Sequence, residues 1–136
     1  MITAVDTNVL LDVLVADRRH GPRSREALKA CMAEGGLVAC PVVWCEVATF
    51  FPDPDAGRDA LERLGLRYEA LDVSDAVEAA RRWSAHRTAG APGPRRIAPD
   101  FLIGAHAMNR ADRLLTRDRD FFAAAFAGLT VVDPSA

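Results

Sequence analysis

ITAVDTNVLLDVLVA (residues 2–16) changes its periodicity at a single acidic residue, Asp6. Ile2 to Val5 is an apolar run too short for a helix, whereas Val9, Leu10, Val13 and Leu14 recur at the spacing of one helix face. A strand therefore gives way to a helix across Asp6, and the same alternation repeats down the chain. The spacing predicts a turn at Gly21-Pro22, a second helix over SREALKACMAEG stopped by Gly35-Gly36, and a second strand, LVAC. Pro41 opens a third helix, PVVWCEVATFF, and PDPDAGRDALERLG suits an acid-capped fourth. LRYEALDV alternates as a third strand before SDAVEAARRWSAHRTAG makes a fifth helix. Residues 90–96, GAPGPRR, are Pro/Gly-rich and predict a loop. Beyond it a helix begins near Asp100 and runs to about Arg110; RLLT is a fourth strand, RDRDFFAAAF a short helix and LTVV a fifth strand. Strands that keep alternating with helices need crossover connections. The expected fold is therefore α/β: a central parallel five-stranded sheet with helices on both faces, a three-layer α/β/α sandwich.

A chain of 136 residues with 50% hydrophobic composition predicts one domain, residues 1–136, around one core. Cys31, Cys40 and Cys45 are odd in number and lack CxxC spacing, so reduced core thiols of a cytoplasmic protein are expected, without disulfides or structural zinc. The N-terminus does not resemble an export signal, and no apolar stretch approaches the ~20 residues of a membrane span, so a soluble chain is expected. A net charge of -2 argues against a protein that coats nucleic acid and leaves room for a focused basic face. Every basic residue except Lys29 is an arginine.

Open parallel sheets bind ligands beyond the carboxyl ends of their strands, and this rule sorts the acids. Asp6 ends the first strand, Glu46 lies in the helix launched from the second, Asp100 begins the helix leading into the fourth, and Asp118 follows Leu115-Thr116. Asp6 and Asp118 also suit helix N-caps, and Asp100 after Pro99 suits a first-turn acid favoured by the helix dipole. Glu46 sits among Val42, Val43, Cys45, Val47 and Phe50 on a helix expected to be buried nearly all round, where an unpaired carboxylate is costly, so it needs a partner. If the four converge, two carboxylates ~4 Å apart repel by about 4 kcal/mol at an effective dielectric near 20, and the cluster either holds protons or binds a cation. Hard oxygen donors select Mg2+ or Mn2+. Such an ion keeps open positions for phosphate oxygens and an attacking water, which is a phosphodiesterase design.

AVDTNVLLDVL, PVVWCEVATFF, RRIAPDFLIGAHA and LLTRDRDFF, in that order and spacing, closely resemble the PIN domain, and within it the VapC toxins of bacterial toxin-antitoxin pairs. The resemblance runs from Ile2 to Pro134. It implies a PIN-like sandwich, Mg2+- or Mn2+-dependent endoribonuclease activity on an RNA substrate, a cognate VapB-type antitoxin and, as in many relatives, a homodimer. Carried over residue by residue, the four acids are Asp6, Glu46, Asp100 and Asp118, with Asp6 and Asp100 as principal metal ligands; the physical logic of metal-assisted hydrolysis then has Asp118 completing the shell directly or through water and Glu46 orienting or deprotonating water. Asn8 and Thr116 match polar positions that support the site by hydrogen bonding. Pro99 stands where many members have another small residue. Asp120, a second acid in the same turn, is a candidate to share the role of Asp118. Arg95, Arg96, Arg117 and Arg119 are the nearest basic groups and are candidates for RNA phosphate contacts, against the alternative of solvated counter-charges to neighbouring aspartates.

His20, His86 and His106 show no ligand spacing, and His106 is assigned to packing. Gly104, one turn past Asp100, is expected to let that helix approach the sheet. Val43, Trp44, Phe50 and Phe51 suit either core or a face for an antitoxin or a second copy. A receiver domain and a haloacid-dehalogenase-type phosphatase each need a lysine late in the chain, and the only lysine is Lys29. A catalytically inactive PIN-like binding module is the remaining alternative, and retention of all four acids weighs against it.

Overall fold

The computed structural model describes residues 1–90 and 95–135. Residues 91–94 of the predicted loop lie outside the described residues. In chain order the elements are β1 (Ile2–Val5), α1 (Thr7–Leu14), α2 (Gly21–Glu34), β2 (Gly36–Ala39), α3 (Pro41–Ala48), α4 (Pro54–Arg63), β3 (Leu66–Tyr68), α5 (Val73–Ala89), α6 (Ala98–Arg110), β4 (Arg113–Leu115), α7 (Arg119–Ala125) and β5 (Val131–Val132). The five strands form one sheet in the order β3-β2-β1-β4-β5, and every neighbouring pair is parallel. The expected α/β fold is what the chain adopts.

Right-handed crossovers fix which helices cover which face. The chain steps from β1 to β2 to β3 in one direction, then returns past β1 and steps from β4 to β5 in the other. α1 to α4 therefore cover one face and α5 to α7 the opposite one, with α1 against α2 and α3 on the first and α5 against α6 and α7 on the second, while α3 and α6 also meet across the division. The central strands are buried on both faces, with Ala4, Val5, Leu37, Val38, Ala39, Leu114 and Leu115 all in the core. On the α5–α7 face an aromatic cluster fills the interlayer space: Trp83 stacks on Phe101 at 5.6 Å, and Phe101 meets Phe121 edge-on at 5.4 Å.

Several boundaries differ from expectation for identifiable reasons. LRYEALDV supplies only three strand residues because β3 is an edge strand whose one partner, β2, stops at Ala39 before Pro41 turns into α3; the ladder ends with Glu69 N donating to Ala39 O at 3.1 Å. Gly21 and Pro22 are not a turn ahead of α2 but its first residues, where proline's missing N–H costs no hydrogen bond. α3 is not buried all round: only Val43 and Val47 are buried, Phe50 beyond its end is 64% exposed, and Cys45 is exposed, contrary to the expectation for the cysteines. Cys31 and Cys40 are buried free thiols. No helix among the described residues is long and apolar enough to cross a membrane.

A buried carboxylate joins α5 to α6. Asp75 is fully buried, and burial works against its charge. Hydrogen bonds from Asn109 Nδ2 at 2.8 Å, Arg110 Nε at 2.9 Å and Asp72 N at 2.9 Å outweigh that burial, so its carboxyl stays below the usual range. His106 is buried on the same helix, its Nε2 donating to Glu69 O at 3.0 Å, in keeping with a packing role.

Gly104 lies in the middle of α6, and the close approach it permits is to the ring of Phe126, beyond the end of α7, rather than to the sheet. A Cβ there would overlap Cε2 and Cζ of that ring, which is fully buried and has no space to retreat. Alanine would gain ~1 kcal/mol of helix propensity, but overpacking costs about 1–3 kcal/mol. With the overlap this severe the clash wins. Gly104→Ala is expected to destabilise the fold by about 1 kcal/mol or more in urea unfolding, and an unchanged or raised midpoint would contradict this packing.

Candidate active site

β1 and β4 are the neighbouring strands at which the chain's direction across the sheet reverses, and the crevice beyond their carboxyl ends is where such sheets bind ligands. Asp6 follows β1, Thr116 follows β4, and the two meet across that crevice. Asp6 N donates to Leu115 O at 3.0 Å, and Thr116 Oγ1 donates to Asp6 Oδ2 at 2.7 Å. Asp6 is also the N-cap of α1, its Oδ1 accepting from Thr7 N at 2.7 Å, so the capping and site readings of this residue hold together. The buried Thr116 hydroxyl further accepts from Asp118 N at 3.0 Å and Asn8 Nδ2 at 3.5 Å, which uses its one donor and both acceptor positions. Asn8 bridges the strand ends in turn: its Nδ2 lies 3.4 Å from Asp6 Oδ2, and its Oδ1 accepts from Arg117 N at 3.2 Å.

The remaining acids arrive from three elements. Glu46 projects from α3, and its Oε1 accepts from Thr7 Oγ1 at 2.7 Å, the partner that its apolar neighbours in sequence led us to expect. Asp100 is the third residue of α6; its Oδ2 accepts from Ile97 N at 3.5 Å, while Ile97 at the cap position has no side-chain acceptor to offer. Asp118 occupies the N-cap position of α7 without making a capping bond. Asp6, Glu46, Asp100 and Asp118 all line one cleft of about 470 Å³, with Thr7, Asn8, Leu11, Phe50 and Ile103 among its other walls. Asp120 is exposed on the first turn of α7 and does not line it.

The four arginines named from sequence have different fates. Arg95 and Arg119 are exposed. Arg117 is turned away from the cleft and grips Asp12 with two bonds, Nε to Oδ2 at 2.7 Å and Nη2 to Oδ1 at 3.1 Å, while Ser24 Oγ donates to the same carboxylate at 2.7 Å. This pair anchors the Thr116–Asp118 turn from behind. Arg96 reaches into the site and forks onto Asp118, Nη1 to Oδ2 and Nη2 to Oδ1 at 3.2 Å. Three contributors were missed from sequence: Thr7, Asp12 and Phe121, whose ring lies beneath Arg96. Asp12 carried the same signal as Glu46, an acid inside an apolar helical run.

Burial pushes the Asp6 carboxyl up to about 6, the hydrogen bonds from Thr116 and Thr7 offset this in part, and the charges of Glu46 and Asp118 add to the rise. Burial also raises Asp100, with Asp118 adding repulsion against the relief given by Ile97 N and Arg96. Asp118 thus bears on both. Among the described residues no group of three or more His, Cys, Asp or Glu side chains stands close enough together to hold a metal ion as the side chains are placed. The donor set nevertheless fits a hard divalent ion: it is all oxygen, it includes two carboxyls that burial holds above their usual range, and it lines an open cleft, as suits Mg2+, which takes one or two carboxylates and keeps several waters.

The PIN domain family matches residues 3–127, and the chain belongs to that family. Its fold is that of VapC components of toxin-antitoxin complexes. VapBC-1 from nontypeable Haemophilus influenzae aligns with a TM-score of 0.75 at 18% identity, covering 100% of each chain. FitAcB from Neisseria gonorrhoeae gives 0.74 at 24% identity with 99% of each chain covered. A toxin-antitoxin complex from Klebsiella pneumoniae gives 0.63 at 25% identity with 97% of each covered. No curated protein matches the chain by sequence.

The raised Asp6 carboxyl makes the metal-free fold sensitive to pH. Below its ordinary value of 3.8 the group is protonated folded or unfolded, and no penalty applies; between there and about 6 the unfolded chain gives up the proton that the fold retains, so stability falls across that window and levels off above it, where the fold carries the buried charge. Asp6→Asn removes this titration. The metal-free wild type should lose up to about 3 kcal/mol relative to the Asn variant between pH 4 and pH 7.5 in urea melts. Parallel pH profiles would contradict the assignment.

Proposed function

We propose that the chain is the toxic component of a type II toxin-antitoxin system, a Mg2+- or Mn2+-dependent endoribonuclease that hydrolyses RNA phosphodiester bonds. The observation that carries this reading is the meeting of Asp6, Glu46, Asp100 and Asp118 in one cleft at the sheet's reversal point, in a chain of the PIN family. A divalent ion held by Asp6 and Asp100 supplies the positive charge that stabilises the phosphate oxygens as the transition state forms.

The chain's own residues set the rest of the chemistry. Thr7 gives its backbone N–H to Asp6 and its hydroxyl to Glu46, so one residue fixes the ligand acid relative to the base. With Oε1 held by Thr7, Glu46 orients a water and takes its proton as the water oxygen bonds to phosphorus and the P–O bond to the leaving RNA fragment breaks, the departing oxygen taking up a proton from solvent. Thr116 and Asn8 keep Asp6 Oδ2 in place. Arg95 and Arg119, both exposed and flanking Arg96 and Asp118 in sequence, are the groups left free to meet incoming RNA phosphates.

The natural partner in this reading is a VapB-type antitoxin, supported by the similarity to chains of toxin-antitoxin complexes. Phe50, 64% exposed beside the acids, offers an apolar contact at the cleft mouth for the antitoxin. A homodimer is proposed by analogy with the family.

Glu46→Gln should leave the circular dichroism spectrum and melting unchanged while cutting cleavage of total cellular RNA by at least about tenfold. EDTA should abolish cleavage by the wild type, and added Mn2+ should restore it. Cleavage that persists in EDTA, or that Glu46→Gln leaves intact, would refute the mechanism.

A further inference from the structure

Arg96 is the basic side chain that enters the acid cluster, and it is held there on three sides. Its guanidinium forks onto Asp118, its Nη1 lies 3.9 Å from Asp100 Oδ1, and its central carbon stands 4.3 Å from the centre of the Phe121 ring. The Arg96 side chain is 22% exposed and that of Asp118 31%, so the pair is largely withdrawn from water, and Asp118 is itself fixed through its N–H on Thr116.

Two-ion phosphodiesterase sites place their cations about 3.5–4 Å apart and bridge them with shared carboxylates. Asp118 and Asp100 line this cleft together with Asp6, and Arg96 spans the first two, so the guanidinium stands on the ground that a second ion shared between these acids would occupy. Each Asp118 oxygen already accepts a hydrogen bond from Arg96, so an ion approaching Asp118 from that side meets the guanidinium charge. One divalent ion together with the guanidinium sets three positive charges against four carboxylates, whereas a second ion would overcharge the cleft unless Arg96 left.

Resting on the metal-dependent reading above, we propose that Arg96 is a built-in second cation: it takes the place beside Asp118 and Asp100 that a second metal would need, so the site binds one divalent ion per chain. Arg96 is then a positioning residue that sets the metal stoichiometry and keeps Asp118 in place, rather than one of the exposed groups that gather RNA.

The test is a Mn2+ titration of the full chain by calorimetry, with electron paramagnetic resonance to detect spin coupling between neighbouring ions. Wild type and Arg96→Lys, which keeps a positive charge, should each bind one uncoupled ion; Arg96→Gln should bind a coupled pair. Two ions on the wild type, or one on a folded Arg96→Gln, would overturn the proposal and leave the nuclease reading standing. No ion on any form would overturn both. Should Arg96→Gln fail to fold, Arg96→Met, which keeps the aliphatic stem over Phe121, replaces it with the same expected outcome.

Discussion

The hydrogen bond from Thr116 to Asp6 is the constraint on which the rest of the site depends. It joins the ends of the two strands between which the sheet reverses direction, and only there do two adjacent parallel strands open a crevice between helices that leave to opposite faces. Asn8, Asp118 and the turn between Thr116 and Asp118 are each placed by a bond to one of these two residues or to their neighbours. The Arg117–Asp12–Ser24 contact braces the same turn from the α1–α2 side, so the acids stand on a frame fixed from front and back.

That frame holds the carboxylates where they are least comfortable. Burial first, and mutual repulsion after it, raise Asp6 and Asp100, while hydrogen bonds from Thr116 and Thr7 to Asp6, and Ile97 N and the Arg96 charge at Asp100, relieve part of the strain. The packing that offsets this cost lies behind the acids: the aromatic rings under α6, Phe121 among them beneath Arg96, and the fully bonded Asp75 between α5 and α6. A site that disfavours the ionised empty state has a matching preference for a bound cation, since whatever destabilises the carboxylates without metal is recovered when their charge is met.

Much of this was legible in the sequence because it rests on local pattern and topology. The switch from β to α periodicity at Asp6 gave the first unit, its repetition gave a parallel sheet, and the sheet's polarity brought Asp6, Glu46, Asp100 and Asp118 to one edge. What the sequence did not disclose depends on pairings between distant residues. The partner of Arg117 lies 105 positions away and that of Arg96 22 positions away, so neither arginine's commitment is visible in its neighbours. The lengths of β3 and β5 depend on where the adjacent strand ends, not on their own alternation. The exposure of Cys45 reflects the placement of α3 over the strand ends, which an apolar sequence does not reveal.

The most direct test of the central claim, that these acids form a metal centre at the sheet's reversal point, is anomalous diffraction from crystals of the chain soaked in Mn2+. The account predicts a peak in the cleft within coordinating distance, about 2.2 Å, of carboxylate oxygens of Asp6 and Asp100. A map with no peak there, or with Mn2+ bound only elsewhere on the surface, would contradict it.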